Sequence, residues 1–487
     1  MDLDRRDFLK RAGIFGGAAL AAGSLSGCKW FQDWPGTGPL GSILDLPAPS
    51  APIDHIVVVM MENRSFDHYL GWLADDARYV GAGRRRWGHD FQIDGEQAQT
   101  YPDPNGTPVA TSHLFQQPGQ TNPWRGCGFG DPGHSWSSGR VQRDHGFLAA
   151  GSGNDQFALG YYRAPDLAIT AALAKRFTTF DRYHCSVLGP TYPNREYLHS
   201  AQSGGNKTNA FPPTSDGFQW ATIWDRLDAA NVPARYYYSD LPTLALWGAR
   251  GMAHASPIAQ YYEACTAGTL PNVTFVDPAF IGENRTDDHP LADVRGGQGF
   301  IRDACKAFVE SPHWESGVFI VTYDEWGGFF DHVAPPHFDD DRTSADDQED
   351  FSQAGFRVPT MLASPFARPN FVDHRMYDHT SILRFIQWRF LGAEYEGGFV
   401  GSGAPWWLTR RDRNAYNIGA SLARESVDDD VGFDLDQVID PISAPCGGPA
   451  GLGFRAQPNP ANGVDAFDEL AWARYLDGVG VRVPAFS

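Results

Sequence analysis

Two short, continuously apolar segments limit the folds open to this chain. They are His55–Met61 and Val318–Thr322, and both are rich in β-branched residues. Runs of this length and composition are typical of strands that are buried on both faces, as in a parallel sheet. Acids follow each run closely, at Glu62 and at Asp324–Glu325.

The rest of the chain alternates predicted helices and strands. Helical patterns cover Asp166–Lys175, Thr222–Ala230, Gly299–Glu310 and Thr380–Phe390, and further strand patterns cover Phe177–Phe180, Ala234–Tyr238, Val273–Val276 and Val358–Ala363. This alternation predicts an α/β fold with a central, mostly parallel sheet flanked by helices. Residues 80–150 lack clear periodicity and are predicted to cross over the site as a long excursion. Residues 421–487 are predicted to form a C-terminal wrap, irregular over 440–465.

Acidic residues recur at the predicted strand ends. They are Glu62, Asp181, Asp240, Asp277, Asp324 and Glu325. A single acid in such a position is usually a solvated loop residue or a helix cap. Ligands of open α/β sheets, however, bind outside the carboxyl ends of the strands, so the recurring set indicates a site at that edge.

The first strand delivers Glu62 and Asn63 side by side. A carboxylate beside an amide oxygen is a plausible half-site for a hard cation. The alternative is an ordinary helix start, with Asn63 or Ser65 as the N-cap.

The second strand ends in the adjacent carboxylates Asp324 and Glu325, and the following Gly327 and Gly328 let the backbone turn sharply. Neighbouring buried carboxylates repel each other, so a positive group, most simply a divalent cation, is expected beside them. The alternative is an exposed acidic turn, which the strongly apolar strand before it disfavours.

The segment Leu188–Leu198 predicts a helix whose N-cap is Thr191, with Pro193 in the first turn. A helix N-terminus offers free N–H groups to a phosphate, and it would also stabilise an alkoxide on Thr191. The alternative is an ordinary capping threonine. His134 and His289 are candidate site residues, although a lone histidine is more often a packing or surface residue. His379 is predicted to make a structural contact at a helix start.

The N-terminus predicts export. Arg5 and Arg6 followed by Phe8-Leu9-Lys10 resemble a twin-arginine signal, and Leu25–Cys28 resembles the cleavage site of bacterial lipoproteins. We therefore expect a signal over residues 1–28, a lipid anchor at Cys28 that holds the protein at a membrane, and a tether over residues 29–52. The expected location is periplasmic or at the cell surface. An ordinary signal peptide that happens to end in cysteine is the alternative.

The remaining cysteines and the charge set further limits. Five cysteines besides Cys28 allow at most two disulfides, whose pairing the spacing leaves open. The formal net charge of −20 argues against nucleic acid as a partner and against a broad electrostatic dock on anionic lipid, although a local basic patch remains compatible with it.

Five segments resemble one known family in order from about Ile53 to about Asn417. They read E-N-R-S-F-D-H-Y-L-G, G-P-T-Y-P-N-R, D-D-H-P-x-x-D-V-R-x-G, Y-D-E-x-G-G-F-F-D-H-V-A-P-P and Y-D-H-T-S-I-L-R-F-I-x-W-R-F. The chain resembles the bacterial phosphoesterases that include non-haemolytic-type phospholipases C and related acid phosphatases. The resemblance implies a catalytic domain over residues 53–420 with the fold of the alkaline phosphatase superfamily.

The resemblance also implies roles for the individual residues. One divalent metal ion is expected, with Ca²⁺, Mg²⁺ or Mn²⁺ favoured by ligands that all offer oxygen. The implied metal ligands are Glu62, Asn63, Thr191, Asp324 and Glu325, with Thr191 also the nucleophile. His134 and His289 would hold the phosphoryl oxygens or protonate the leaving group, Asn194 and His332 would support the site, and Trp326 would affect pocket shape.

The predicted activity is that of a phospholipase C acting on a phospholipid diester. The alternative is an exported acid phosphatase acting on small phosphomonoesters. Thr191–Arg195 also has the spacing of a sulfatase segment, but threonine cannot be converted to formylglycine, so sulfatase chemistry is not expected. An alternative of a different class is a surface lipoprotein that binds a ligand without turnover.

Overall fold

The computed structural model of the chain describes residues 41–394, 399–400, 403–427, 435, 439, 442–444, 446 and 466–483. The expected signal over 1–28, the first half of the predicted tether, the acids at 428–430 and most of the stretch 440–465 lie outside these residues. Among the described residues, no helix is both long and apolar enough to cross a membrane.

The strands follow the apolar segments of the sequence. In chain order they are β1 His55–Met61, β2 Thr100–Pro102, β3 Pro108–Ala110, β4 Ser112–His113, β5 Gly160–Tyr161, β6 Thr178–Phe180, β7 Ala234–Tyr238, β8 Ala255–Pro257, β9 Val273–Asp277, β10 Gly317–Tyr323, β11 Met361–Ala363, β12 Phe371–Asp373, β13 Phe399–Val400 and β14 Ala404–Pro405.

The α-helices of the described residues alternate with these strands. In chain order they are α1 Phe66–Leu70, α2 Ala77–Trp87, α3 Trp136–His145, α4 Ala168–Arg176, α5 Thr191–Ser200, α6 Ile223–Ala229, α7 Gly248–Met252, α8 Ala259–Ala267, α9 Val294–Val309, α10 His379–Leu391, α11 Arg410–Asn414 and α12 Glu469–Val479. Short 3₁₀ turns fill several of the connections.

One eight-stranded sheet forms the centre, in the order β12-β6-β11-β10-β1-β9-β7-β8. Within it β11 runs antiparallel to both of its neighbours, and the other pairs are parallel. All of β10 is buried, as is β1 from Ile56 onward. The predicted mostly parallel α/β sheet, with its two doubly buried strands, is confirmed.

The element boundaries differ from the predictions for local reasons. The predicted strand Val358–Ala363 begins only at Met361, because Pro359 cannot donate a ladder hydrogen bond. The predicted helix Gly299–Glu310 begins earlier, at Val294, because the Asp293 side chain accepts a hydrogen bond from the backbone of Arg295 and caps it. Sequence reasoning did not predict α12.

The predicted tether is too long at its C-terminal end. Ile43, Ala48 and Ala51 are buried in the core, and the Ile43 backbone N–H donates to the Leu422 carbonyl. Burial of these apolar side chains holds residues 42–52 against the domain. Of the cysteines, Cys127 and Cys446 form a disulfide, which lies within the predicted limit of two.

Candidate active site

The register of β1 and β10 brings two of the sequence segments together. Met61 lies opposite Tyr323 in this parallel pair, so the residues that follow both strands emerge side by side. The Asn63 backbone N–H donates to Asp324 Oδ1 at 3.0 Å, and the Asp324 backbone N–H donates to the Met61 carbonyl at 3.0 Å. These hydrogen bonds fix the two strand ends to each other.

The backbone at this junction is unusually tight. Asn63 has a φ of 57°, in the left-handed region that asparagine tolerates better than most residues. Gly327 has a φ of +63°, and a Cβ there would lie 2.1 Å from the Asn63 carbonyl oxygen. Glycine is therefore required at 327, and Asn63 is not the N-cap of a helix, since Ser65 occupies that position.

Helix α5 brings Thr191 to the same place. The predicted N-cap role of Thr191 is wrong by one position, because the N-cap is Pro190 and Thr191 is the first helical residue. The hydroxyl of Thr191 is buried and donates to Glu62 Oε2 at 3.3 Å. Asn194 holds the preceding turn, since its side chain accepts from the Val187 backbone and donates to the Gly189 carbonyl.

Arg195 is a site residue that sequence reasoning missed. Its Nε donates to Glu62 Oε1 at 2.8 Å, and one of its terminal nitrogens donates to Asp277 Oδ1 at 3.1 Å. Asp324 Oδ2 lies 3.7 Å from the same Nε. Burial alone would lower the pKa of Arg195, but these carboxylates raise it. Its spacing from Thr191, four residues along one helix, was the available signal.

The carboxylates at the two strand ends carry more negative charge than Arg195 offsets. Glu62, Asp324 and Glu325 are fully buried. Burial raises the pKa of Glu62 and of Glu325 well above its usual value, and the adjacent Asp324 carboxylate raises both further. Burial also raises the pKa of Asp324, against the opposing effect of Arg195. A further positive charge would relieve this repulsion.

Several oxygens of this cluster are available to such a charge. Asn63 Oδ1, Asp324 Oδ2 and Glu325 Oε1 are buried and accept no hydrogen bond within the described part of the chain. Together with Glu62 and the Thr191 hydroxyl they form a donor set made entirely of oxygen. Hard divalent cations prefer such donors, so the donor chemistry of these residues suits the metal ion that the sequence predicts.

His134 orients the Asn63 amide. Its Nδ1 donates to the Pro132 carbonyl at 2.9 Å, which leaves Nε2 as an acceptor. Asn63 Nδ2 lies 3.5 Å from that Nε2 and donates to it weakly. The amide oxygen of Asn63 is thereby directed to the opposite side, where a cation would bind. Burial lowers the pKa of His134 to about 4 and favours the neutral ring that this arrangement needs.

His289 lies beside His134, nearer to solvent. The two ring centroids are 5.9 Å apart, and His289 Nε2 is 3.9 Å from Asp131 Oδ2. Ligand atoms of Asp131, His134 and His289 all lie within 4.8 Å of one another, so these residues form a group that could hold an ion, as do Asp67, Asp331 and His332. Burial lowers the pKa of His289 well below its usual value. An anionic group bound between the two rings would raise the pKa of His289 again.

Arg64 fixes the loop that carries His289. Its guanidinium donates twice to the Asp288 carbonyl, at 2.8 and 2.6 Å. The Glu62 backbone N–H donates to the Asp287 carbonyl, and Asp288 Oδ2 accepts from the Tyr323 hydroxyl. The loop is thus attached to both strand ends. Sequence reasoning assigned Arg64 no role, although it directly follows Glu62 and Asn63.

The Phosphoesterase family model matches residues 53–391 of the chain. This chain belongs to the Phosphoesterase family. It is 31% identical over 429 residues to non-specific phospholipase C4 of Arabidopsis thaliana, covering 77% of this chain and 73% of that protein. It is 30% identical over 447 residues to phospholipase C B of Mycobacterium tuberculosis (strain CDC 1551 / Oshkosh), covering 80% and 81%.

One further relative and one solved structure are also similar to this chain. The non-hemolytic phospholipase C of Pseudomonas aeruginosa is 29% identical over 441 residues, covering 79% of this chain and 60% of that protein. A solved structure from Vibrio parahaemolyticus, described as a protein in the alkaline phosphatase superfamily, aligns over 62% of this chain and 74% of its own, at 10% identity with a TM-score of 0.33.

In this phosphoesterase, His332 lies in a separate cluster and not against Thr191. Its Nδ1 contacts Asp67 and its Nε2 lies 3.0 Å from Asp94 Oδ1. Arg357 donates to Asp67 Oδ1 at 3.1 Å and to Asp331 Oδ1 at 2.9 Å. The predicted supporting role of His332 is therefore structural, because it joins the excursion at Asp94 to helix α1.

Other predicted residues lie behind the site. His379 Nε2 donates to the Asp324 carbonyl at 2.7 Å, in agreement with its predicted structural contact. Trp326 is fully buried and donates to Gln142 Oε1 at 2.7 Å, so it packs behind the strand end and influences the pocket only indirectly. Among the strand-end acids, Asp277 joins the first cluster through Arg195, whereas Asp181 pairs with His374.

The Asp240 side chain bonds to the backbone and not to the site. It accepts hydrogen bonds from the N–H groups of Phe280 and Ile281 and so closes the loop after β9. This agrees with the ordinary role that single strand-end acids usually have.

The His332 cluster predicts a pH-dependent stability. Burial lowers the pKa of His332, but Asp67 and Asp94 outweigh it and raise that pKa to about 10. Because the unfolded value is about 6.5, the stabilisation is complete below that pH and is lost as pH rises to 10. We expect His332→Gln to lower the free energy of unfolding by about 2 kcal/mol at pH 6, and by progressively less up to pH 10.

Urea unfolding of the parent and the variant at several pH values measures this difference. His89→Gln is the matched control, because His89 is exposed and its replacement should change stability by less than about 0.5 kcal/mol throughout. A cost of His332→Gln that stays constant from pH 6 to pH 10 would contradict the assignment of a charged His332.

Proposed function

We propose that this phosphoesterase is a metal-dependent phospholipase C, which hydrolyses a phospholipid diester to diacylglycerol and a phosphorylated head group. The observation that carries the proposal is the buried Thr191 hydroxyl beside Glu62, next to the open oxygens of Asn63, Asp324 and Glu325. Relatives named phospholipase C, aligned over most of this chain, support the choice of a diester.

Glu62, Asn63, Thr191, Asp324 and Glu325 would hold one divalent cation, with Ca²⁺, Mg²⁺ or Mn²⁺ favoured by the oxygen donors. When bound, the cation supplies positive charge that offsets the charge on the phosphoryl oxygens and lowers the pKa of a nearby hydroxyl. Arg195 holds Glu62 in place through its Nε and so keeps the carboxylate beside Thr191.

Thr191 is the proposed nucleophile. Its Oγ1 attacks phosphorus, and its proton passes towards Glu62 Oε2, to which it already donates. The bond from Oγ1 to phosphorus forms, and the bond from phosphorus to the glycerol oxygen breaks. Water then attacks the phosphothreonine, releases the phosphorylated head group and restores the Thr191 hydroxyl.

His289 is the proposed donor to the leaving group. Its Nδ1 faces the Pro290 carbonyl at 3.2 Å, so its Nε2 is the nitrogen that can serve the substrate. His289 is also the more exposed of the two histidines, on the side from which a large leaving group must depart. The negative charge of the bound phosphate raises the pKa of His289, and the protonated ring gives its Nε2 proton to the glycerol oxygen, while neutral His134 keeps Asn63 oriented.

Two substitutions at Thr191 test the nucleophile. We expect Thr191→Ala to lower kcat by about 10³-fold or more, because it removes the attacking oxygen. Thr191→Ser keeps that oxygen and should retain activity within about tenfold of the parent. Initial rates on a chromogenic phosphodiester, with thermal unfolding as the control for folding, measure both. Full activity of Thr191→Ala would remove Thr191 from the reaction.

Substrate choice and metal dependence are tested together. We expect the purified protein to hydrolyse p-nitrophenylphosphorylcholine faster than p-nitrophenyl phosphate, and to lose that activity when a chelator is added, because the carboxylate cluster then lacks its cation. Added Ca²⁺, Mg²⁺ or Mn²⁺ should restore it. A preference for the monoester would indicate an acid phosphatase, turnover of neither substrate would favour a binding role, and activity insensitive to chelator would contradict the metal.

We also propose that the protein is exported by the twin-arginine route and anchored by a lipid on Cys28. The arginine pair and the Leu25–Cys28 segment support this proposal. We expect Cys28→Ser to move the protein from the membrane fraction to the soluble fraction, as measured by fractionation and immunoblotting of the producing cells. Unchanged membrane recovery of Cys28→Ser would contradict the anchor.

A further inference from the structure

The site opens to solvent on one side. Glu62, Asn63, Thr191, Asp324 and Glu325 are fully buried, whereas the side chains of His289 and Asp131 are 16% and 10% exposed. Substrate therefore approaches over these two residues. The backbone of residues 124–125 bonds to that of Leu291 and Val294, on the segment that follows His289, and we call the apolar residues on and beside this junction the rim. They are Phe115, Trp124, Phe129, Tyr161 and Ile442.

Ring contacts join the aromatic part of the rim. Phe115, whose surface is 42% exposed, contacts the Trp124 ring edge-on at a centroid distance of 4.7 Å. On its other side it stacks on His113, which in turn lies 6.0 Å from Tyr161. Phe129 is half-buried and precedes Asp131 by two residues. The segment 115–131 thus leads from exposed aromatic rings directly to the opening.

Ile442 joins the rim from the C-terminal part of the chain. It is 42% exposed and is followed by Ser443, whose hydroxyl accepts from Asn122 and whose carbonyl accepts from Arg125. Arg125 also donates to the Leu291 carbonyl, two residues after His289. The Cys127–Cys446 disulfide secures the same junction. Ile442 is therefore attached to the loop that borders the opening.

The rim concentrates exposed apolar groups. Of the three large hydrophobic residues that are well exposed in the described part of the chain, Phe115 and Ile442 lie here and Leu470 lies on α12. Cations accompany the rings, since Arg295 lies over the Trp124 ring and Arg163 over the Tyr161 ring. Tryptophan and tyrosine favour the membrane–water interface, and the exposed Arg163 can reach lipid phosphates from there, whereas Arg295 is held by Asp293.

We propose that the rim inserts into the interfacial layer of a phospholipid bilayer and holds the opening over the head groups. The inference rests on the proposed function, because a diacyl phospholipid must present its phosphate at this opening while its acyl chains stay in the bilayer. The contact is distinct from the lipid anchor, which holds the chain near a membrane without orienting the site.

The rim is tested in the Cys28→Ser chain, so that no lipid anchor contributes. The variant Phe115→Ser/Ile442→Ser is compared with Leu470→Ser, which removes an even more exposed apolar side chain on α12. Co-sedimentation with sucrose-loaded phosphatidylcholine vesicles measures binding. Hydrolysis of those vesicles and of soluble p-nitrophenylphosphorylcholine measures turnover on the two kinds of substrate, and thermal unfolding verifies the fold.

We expect the double variant to partition onto vesicles about tenfold or more weakly, to lose vesicle hydrolysis in proportion, and to keep its rate on the soluble diester. Leu470→Ser should match the parent in every assay. Undiminished vesicle binding by the double variant, an equal loss in Leu470→Ser, or absence of binding by the parent would overturn the proposal. Absence of hydrolysis together with rim-dependent binding would instead reject the proposed activity and leave the rim intact.

Discussion

The burial of several carboxylates at the ends of two adjacent parallel strands is the constraint on which the rest of the site depends. Glu62, Asp324 and Glu325 are taken out of water by the same sheet that forms the core. Desolvated charges of one sign are tolerated only with compensation. Arg195 supplies part of it, and the open oxygens beside it leave room for a cation to supply the remainder.

This arrangement determines what surrounds it. Arg195 reaches the carboxylates only if α5 begins at the strand ends, and that start places the Thr191 hydroxyl against Glu62. Arg64 donates to the Asp288 carbonyl and so holds the loop that carries His289 beside the same strand ends. His134 orients the Asn63 amide. The proposed nucleophile, the proposed cation site and the two histidines therefore share one set of contacts, and we expect them to lose function together when that set is broken.

Much of this was predictable from the sequence, because continuous β-branched runs that end in acids have few alternatives to buried parallel strands. The proposed roles of five residues were inferred from long motifs that the chain shares with the phosphoesterases. These residues are Glu62, Asn63, Thr191, Asp324 and Glu325. Long-range pairings could not be predicted: Arg195 with Asp277, His332 with Asp94, and Cys127 with Cys446 join residues that only the fold brings together. Helix α12 was missed because it follows a stretch without clear periodicity. The strand predicted from composition at Val358 begins only at Met361, because Pro359 cannot join the ladder of hydrogen bonds.

Metal analysis of the purified protein tests the central claim most directly. Elemental mass spectrometry of the parent and of Glu325→Gln, after dialysis against buffer that contains Ca²⁺, Mg²⁺, Mn²⁺ and Zn²⁺ at equal low concentrations, measures the ion and its dependence on the cluster. The account predicts about one hard divalent ion per chain in the parent and its loss in the variant. Stoichiometric zinc in the parent, or equal metal content in both proteins, would contradict it.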